Sequence, residues 1–304
     1  MRRLPALLVA CSARRPSSSA RHACSSTTSD VLRRLGRQAS IEISPHQAEE
    51  LVAYASTDAR VPQTVFVNMV QRDASHFDDV SSACERLAAA GFEPVPHVPA
   101  ARLRDAAHGA AVFESLKRHG ASAALLVAGN DAPRDVSVAS LAECASVAGV
   151  GTHFAGFPEG HPYRDDGDDV LLDKLRAHGG GVVTQFTRDP AGALGPWLDG
   201  VARNAAVVFV GAPGPAPTET LDRFRDLCGV GPSLHVDGAA SLDDDADALR
   251  WPTADVQALA DYVRRGGAAA ERVRLHVYPF GGLDAALSFI DALSRGVLAG
   301  GGRS

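Results

Sequence analysis

Eight short apolar runs, each long enough for a β-strand, recur along this chain, and a helix-length amphipathic stretch follows each of the first seven. Strands that alternate with helices are typical of a parallel sheet with helical crossovers, and eight such units close a barrel. The sequence therefore predicts an α/β fold, a single-domain (β/α)8 TIM barrel. The predicted strands are Ser40–Ser44, Thr64–Asn68, Glu93–His97, Ala123–Val127, Thr152–Gly156, Gly181–Gln185, Val207–Gly211 and Arg274–Tyr278.

The predicted helices fill the intervals between these strands, and several end at a glycine, as helices commonly do. An Asp- and Ala-rich segment, 237–247, interrupts the pattern before the eighth strand, and we interpret it as extra helix around the rim. The predicted helices are Pro45–Ser56, Ser75–Ala90, Ala101–His119, Val136–Ala148, Asp168–His178, Pro190–Arg203, Pro217–Cys228, Thr253–Arg265 and Leu283–Leu298.

The first 29 residues differ in composition from the rest of the chain. They contain five arginines and many Ser and Ala residues, and no acidic residue precedes Asp30. Such a leader is typical of an organelle transit peptide, with the mitochondrion as the favoured address and the plastid as the other organelle. A secretory signal and a disordered tail are the competing interpretations, and without an address the protein would be cytoplasmic. The predicted organisation is a leader over residues 1–29 and a barrel over residues 30–304.

The charge of the predicted barrel disfavours some classes of partner. Without the five leader arginines, 25 of the 30 basic residues remain against 36 acidic ones, a net charge of −11. So acidic a body disfavours nucleic acid as a partner. No apolar run reaches eighteen residues, so the sequence predicts no transmembrane helix. A homo-oligomer remains open.

Cysteine usage gives no sign of a disulfide framework or a zinc site. Of the five cysteines, Cys11 and Cys24 lie in the leader, and the other three are widely spaced without a Cys-x-x-Cys pair. The histidines His153, His235 and His276 have no metal-ligand spacing, so we interpret them as structural and predict no metal site.

Polar residues lie at or just after the ends of the predicted strands, where active sites of such barrels are found. They are Glu42, Asn68, His97, Asp131 and Gln185, and the apolar Phe157 and the loop after Gly211 occupy equivalent positions. Glu42 is the most informative because Ile41 and Ile43 flank it, and alternation along a strand turns it to the face opposite the isoleucines. Burial of this carboxyl inside a barrel would raise its pKa. The alternative is a structural carboxylate paired with Arg or Lys.

Three motifs in the second half of the chain resemble the central signature of methylenetetrahydrofolate reductases. They are Ala155-Gly-Phe-Pro-Glu-Gly-His-Pro162, Leu172-Asp-Lys174 and Val183-Thr-Gln-Phe186. Weaker matches are Ile41-Glu-Ile-Ser-Pro45, Pro96-His97 and Ala128-Gly-Asn-Asp131. The resemblance covers roughly residues 38–298, and it is that of a divergent, single-domain, reductase-like branch.

The resemblance implies an oxidoreductase of one-carbon and methionine metabolism. Such a barrel holds FAD without a covalent bond, takes a hydride from NADH or NADPH, and reduces 5,10-methylenetetrahydrofolate to 5-methyltetrahydrofolate. The flavin performs the redox step, and the protein supplies position and electrostatics. The alternative is a non-catalytic folate- or flavin-binding barrel that acts as a partner subunit.

The resemblance also implies roles for individual residues. Glu42 would be the general acid, Asp131 would tune flavin and pterin, and Gln185 would bind folate and nicotinamide in turn. From the residues alone, a turn aspartate at Asp131, a backbone-bonded amide at Gln185 and a solvated helix face for Lys174 remain open. Asn68 and Phe157 stand where the family carries Thr and Tyr, and Gly129 stands in place of an Arg. The implied FAD contacts are Asn68, His97, Gly129, Asn130, Asp131, Ala139, Phe157, His161 and Lys174.

Overall fold

Eight parallel strands close into a barrel in the order of the sequence, which confirms the predicted fold. This computed structural model describes residues 27–56, 60–69, 76–129, 136–187, 190–228, 230 and 249–297. Each strand pairs in parallel with its sequence neighbour, and the last strand pairs with the first. The strands are β1 Ser40–Ile43, β2 Thr64–Val67, β3 Glu93–Pro99, β4 Ala123–Val127, β5 Gly151–Gly156, β6 Gly181–Phe186, β7 Val208–Pro213 and β8 Val273–Tyr278.

The helices surround the barrel. Within the described ranges, no helix is long and apolar enough to cross a membrane. The predicted rim segment 237–247 lies outside the described residues. The helices are α1 Thr28–Arg37, α2 Ala48–Ala55, α3 His76–Ala89, α4 Ala106–Arg118, α5 Val138–Ala148, α6 Gly167–His178, α7 Gly195–Gly200, α8 Thr218–Cys228, α9 Thr253–Arg264 and α10 Leu283–Ser294.

One predicted helix is wrong as a continuous element. The stretch predicted as Pro190–Arg203 consists of a π-helical turn, Pro190–Leu194, the short helix α7 and a 3-10 turn, Ala202–Asn204. Pro196 lacks a backbone N–H and glycine is a weak helix former, so a sequence with three glycines around this proline does not propagate one regular helix.

Helix α1 was not predicted, and it begins within the last residues assigned to the leader. Thr27 caps it: the Thr27 hydroxyl accepts a hydrogen bond from the Asp30 backbone N–H, and the Asp30 carboxylate accepts one from the Thr27 N–H. Val31, Leu32 and Leu35 form its buried stripe, and the helix packs on α9 and α10. The capping pair and this stripe are the signals that mark the helix in the sequence.

Side chains inside the barrel come from alternate positions of each strand and close its middle. Phe66, Val95, Leu125, Val183 and Phe209 form this apolar cluster. The other face of each strand packs against the helices in a larger core. Because these side chains fill the middle of the barrel, the carboxyl ends of the strands surround a mouth that is open on one side only. The aromatic and aliphatic side chains of the cluster form its floor.

Helix α1 approaches α10 closely at Gly36. A Cβ placed on Gly36 would lie 2.4 Å from the backbone nitrogen of Ser294 and 2.6 Å from the carbonyl carbon of Leu293. Both atoms belong to backbone, which cannot rotate away as a side chain could. Only glycine permits this crossing of the two helices.

Gly36→Ala should therefore destabilise the protein by about 1–3 kcal/mol, because the added methyl forces the two helices apart. Gly200→Ala is the matched control, since a Cβ there meets nothing within 4 Å and alanine favours helix. Urea unfolding of the two variants gives the comparison. Equal stability of both variants would contradict the crossing described here.

Candidate functional site

The mouth of the barrel contains a buried carboxylate surrounded by two imidazoles and an amide. Glu42 Oε2 lies 3.4 Å from His97 Nε2 and 3.7 Å from His276 Nε2. Asn68 Nδ2 donates a hydrogen bond of 3.1 Å to Glu42 Oε1. We call Glu42, Asn68, His97 and His276 the Glu42 cluster. Its members come from β1, the end of β2, β3 and β8, so the closure of the barrel brings them together.

Strand alternation explains why these side chains meet. Ile41 and Ile43 are buried against the helices, which turns Glu42 inward as the sequence predicted. The same alternation turns His276 inward between Leu275 and Val277, which belong to the outer core. The inward orientation of Glu42 is thus a consequence of the apolar residues on both sides of it.

The prediction that burial raises the pKa of Glu42 is wrong. Burial alone would favour the neutral carboxyl, but the charge of His97 and the proton donors of His276 and His97 outweigh it, so the pKa lies far below its ordinary value. The carboxylate is therefore ionised at neutral pH. Its partners are histidines and an amide rather than the Arg or Lys of the structural alternative.

The sequence analysis missed His276 as a member of the site. It has no metal-ligand spacing, and on that ground we interpreted it as structural. The signal that marks it is the polar residue every second position in β8, namely Arg274, His276 and Tyr278, between buried apolar neighbours. Burial lowers the pKa of His276, although contact with Glu42 opposes that shift.

A cavity of about 390 Å³ lies beside the Glu42 cluster, at the ends of β4, β5 and β6 and under parts of α6 and α8. Its polar wall is cationic. The polar side chains that line it are His161, Tyr163, Arg164, Lys174, Gln185 and Cys228. The cavity and the cluster adjoin at Cys228, because Cys228 lines the cavity and the charge of Glu42, after burial, raises the pKa of its thiol.

Lys174 is the least compensated charge of this wall. Its side chain is partly buried, and burial followed by the charge of Arg164 lowers its pKa. Arg164 is held by the Asp166 carboxylate at 2.6 Å, whereas Lys174 has no carboxylate partner within the part of the chain that the structure describes. Lys174 is thus a partly buried lysine of the cavity wall and not a fully exposed residue of a helix face.

Gln185 lies where the cavity meets α8. Its Nε2 donates a hydrogen bond of 3.0 Å to the carbonyl oxygen of Cys228, the last residue of that helix. The amide is thus bonded to backbone, which was the alternative interpretation of Gln185, but the carbonyl belongs to a helix and not to a barrel strand. This bond orients the amide, so that Oε1 is the atom left to accept a hydrogen bond from a ligand.

The structure divides the predicted site residues into two adjoining groups. Glu42, Asn68 and His97 belong to the Glu42 cluster. Ala139 is exposed on α5, next to the lining residue Val138, and is not part of the cavity wall. Asn130 and Asp131 lie outside the described residues, so their predicted roles stay predictions. The predicted residues that line the cavity are Gly129, Phe157, His161, Lys174 and Gln185.

A run of aromatic side chains links β8 to α8 at the rim. The rings of Tyr278 and Phe280 stack at 5.6 Å, and those of Phe280 and Phe224 at 4.0 Å. The Tyr278 hydroxyl donates a 2.7 Å hydrogen bond to the carbonyl oxygen of Thr184. These contacts hold α8 over the mouth. In the described ranges, no group of three or more His, Cys, Asp or Glu side chains is arranged to hold a metal ion.

Comparison with known proteins supports the fold. No family model matches the chain. An uncharacterised protein from Clostridium thermocellum, which binds two copies of 5-methyl-5,6,7,8-tetrahydrofolic acid, is similar in structure with a TM-score of 0.61 and 11% identity over 87% of this chain and 96% of its own. Dihydrodipicolinate synthase from Agrobacterium tumefaciens gives a TM-score of 0.50 and 11% identity over 87% and 78%. At these identities the likeness shows a TIM barrel.

A third histidine is buried below the mouth. His153 on β5 lies 5.4 Å from the ring of Phe209 and 6.1 Å from that of Phe66, and its Nδ1 is buried without a hydrogen-bond partner. Burial lowers the pKa of His153 to about 4. His153 is thus neutral in the folded protein over a range in which the unfolded chain would carry a proton.

His153 should make the protein acid-sensitive. Its pKa is about 4 folded and near 6.5 unfolded, so the unfolded state binds one more proton between these values and the free energy of unfolding falls as pH falls. His153→Leu should reduce the slope of that free energy by up to about 1.4 kcal/mol per pH unit between pH 6 and pH 4.5. Urea titrations over this range measure it, and an unchanged slope would refute the assignment.

Proposed function

We propose that this protein binds a reduced folate at the mouth of its barrel and, with a bound flavin, reduces 5,10-methylenetetrahydrofolate at the expense of NADH or NADPH. The observation that carries the proposal is that the Glu42 cluster, with its ionised carboxylate, adjoins a cation-lined cavity at Cys228. A pterin beside the cluster and a dinucleotide in the cavity would share one edge. The motifs that resemble methylenetetrahydrofolate reductases supply residues to both parts.

The cavity has the donors that FAD requires. Its volume falls within the usual range for cofactor sites of roughly 300–1,000 Å³. Lys174, Arg164 and His161 would hold the diphosphate, and Phe157 supplies an apolar ring against the lining of β4 and β5. When bound, the flavin supplies hydride transfer between nicotinamide and folate, which amino-acid side chains cannot perform.

The residues of the mouth suit the folate half of this reaction. The ionised Glu42 places negative charge where reduction of the methylene bridge develops positive charge on a folate nitrogen, and such preorganised charge stabilises a transition state. Gln185 Oε1 accepts a hydrogen bond from the N–H groups of a pterin edge or of a carboxamide. The folate-binding barrel from Clostridium thermocellum supports the choice of ligand.

A second candidate function is a folate-binding barrel without catalysis. The low pKa of Glu42 favours it, because an ionised carboxylate has no proton to give at neutral pH and cannot by itself be the general acid. The two candidates differ in one observable. In a reductase, NADH or NADPH bleaches the absorption of the bound flavin, and methylenetetrahydrofolate restores it. In a binder, neither addition changes the flavin absorption.

Lys174→Ala should weaken FAD binding at least tenfold, because it removes a charged hydrogen-bond donor worth about 1.5–3 kcal/mol from the cavity wall. Arg176→Ala is the control on the same helix, since Arg176 is exposed and paired with Asp173. Titration of the purified protein with FAD, followed by flavin fluorescence, gives both affinities. Equal affinities in the two variants, or no FAD binding at micromolar concentrations by the unmodified protein, would contradict the flavin site.

Glu42→Gln and Gln185→Ala should separate the two half-reactions. Glu42→Gln removes the charge that serves the folate, so flavin reduction by the nicotinamide should be nearly unchanged and reoxidation by methylenetetrahydrofolate should slow about 10²–10³-fold. Gln185→Ala should slow both, because its amide serves both substrates. Stopped-flow absorbance follows each step. Equal slowing of both steps by Glu42→Gln would make Glu42 a structural carboxylate.

A further inference from the structure

The proton chemistry of the mouth is constrained by a serine that the proposed function does not use. Ser40 and His276 are fully buried and adjacent on β1 and β8. Ser40 Oγ lies 2.9 Å from His276 Nδ1 and 3.4 Å from the carbonyl oxygen of Leu275. On the other side of the ring, His276 Nε2 faces the Glu42 carboxylate at 3.7 Å. The imidazole thus bridges a hydroxyl and a carboxylate.

Only some protonation states satisfy both ends of this bridge. If the Ser40 hydroxyl donates to the Leu275 carbonyl, Nδ1 must carry a proton to donate to Ser40. A neutral ring with its only proton on Nδ1 would point the Nε2 lone pair at the Glu42 carboxylate, which is repulsive. In this case the ring must therefore carry a second proton, on Nε2, and be a cation. If Ser40 instead donates to Nδ1, the neutral ring carries its proton on Nε2. In both cases Nε2 of His276 carries a proton towards Glu42.

His97 presents its Nε2 to the same carboxylate oxygen at 3.4 Å, and, like Nε2 of His276, this nitrogen is buried and makes no closer hydrogen bond. The side chains of His97 and Glu42 retain 15% and 16% exposure, so both reach the mouth, whereas His276 is fully buried. The other groups that face the cluster are Tyr278 and Cys228. Burial and the charge of Glu42 raise the pKa of both, so both remain protonated and neutral.

We propose that Glu42, His97 and His276 form one proton-sharing unit in which Glu42 is the permanent anion, an imidazole holds the transferable proton, and Ser40 and His276 are positioning residues. The inference deepens the proposed function, on which its catalytic consequence rests. It resolves the conflict between an ionised Glu42 and a reaction that needs an acid. Ser40 fixes the ring of His276, and His276 keeps the carboxylate ionised.

The proton transfer balances within the unit. The N–H bond of the His97 imidazolium breaks and a new N–H bond forms on the amine nitrogen of the folate, whose bond to the bridging methylene carbon breaks at the same time. The electron pair of that carbon–nitrogen bond accepts the proton, and the lone pair of the other folate nitrogen forms a C=N bond to the methylene carbon, so that the folate becomes an iminium cation. The net charge of the unit falls by one in this step, and a proton from solvent restores it. No oxidant or reductant takes part in this step.

Nitrogen-15 NMR of histidine-labelled, ligand-free protein tests the unit without any folate or flavin. Removal of the carboxylate in Glu42→Gln takes away the group that opposes the burial of His276, so the titration midpoint of His276 should fall by at least one pH unit. Glu93→Gln is the matched control, a carboxylate at the other end of the barrel that accepts from Thr64. A His276 midpoint that is unchanged in Glu42→Gln, or shifted equally by Glu93→Gln, overturns the proposal.

Ser40→Ala and Ser40→Thr test the positioning role. In the unmodified protein the Nε2 signal of His276 should be that of a protonated nitrogen. Ser40→Ala removes the partner of Nδ1 while Glu42 still selects the Nε2 proton, so the Nδ1 signal should move while the Nε2 signal stays that of a protonated nitrogen, and Ser40→Thr, which keeps the hydroxyl, should restore the Nδ1 signal. An Nε2 that is unprotonated in the unmodified protein, or an Nδ1 shift that Ser40→Ala leaves in place, overturns the assignment.

The two proposals fail separately. If the NMR shifts follow the pattern above while the protein neither binds folate nor reduces a flavin, the proton-sharing unit stands and the proposed function falls. If methylenetetrahydrofolate reoxidises the flavin, and the rate of this step depends on pH in the same way on the acidic side in Glu42→Gln and in the unmodified protein, the reductase stands and the proton-sharing unit is refuted.

Discussion

The contact between a buried carboxylate and two imidazoles sets the character of the mouth. A carboxylate inside a barrel is costly unless charge and hydrogen bonds compensate it, and here the compensation comes from His97, His276 and Asn68. Strand alternation fixes all four side chains inward, and the aromatic and aliphatic cluster beneath them prevents a deeper position. The Glu42 cluster and the cation-lined cavity are therefore two compartments of one rim, separated by Gln185 and the end of α8.

Local pattern was sufficient to predict the strands. The eight runs had the apolar residues and turn signals of strands, and each overlaps a strand of the structure. The helix between β6 and β7 was predicted as one element from its apolar periodicity. Periodicity describes side chains only, and it does not show that Pro196 and the nearby glycines interrupt the regular backbone of the helix. Helix α1 was missed because its arginines resemble those of the leader, although Thr27 and Asp30 provide a capping signal.

The site was predictable only where a single strand determines it. The inward direction of Glu42 follows from Ile41 and Ile43, whereas its pKa depends on His97 and His276, which reach it from two other strands. No local spacing relates these three positions, and burial alone gave the wrong sign. Lys174 illustrates the same limit, since its sequence context fits a solvated helix equally well and only the cavity wall distinguishes the two.

The seam between the first and last strands is short: Ser40 pairs with His276 and Ile41 with Val277. Ser40 and His276 are 236 positions apart in the chain, and α1 and α10 pack together across the same seam through Gly36. During synthesis, every other strand is complete before β8 emerges. The cluster is therefore assembled by the last and most non-local pairing of the fold, and a ribosome-bound chain has a barrel wall long before the Glu42 cluster is complete.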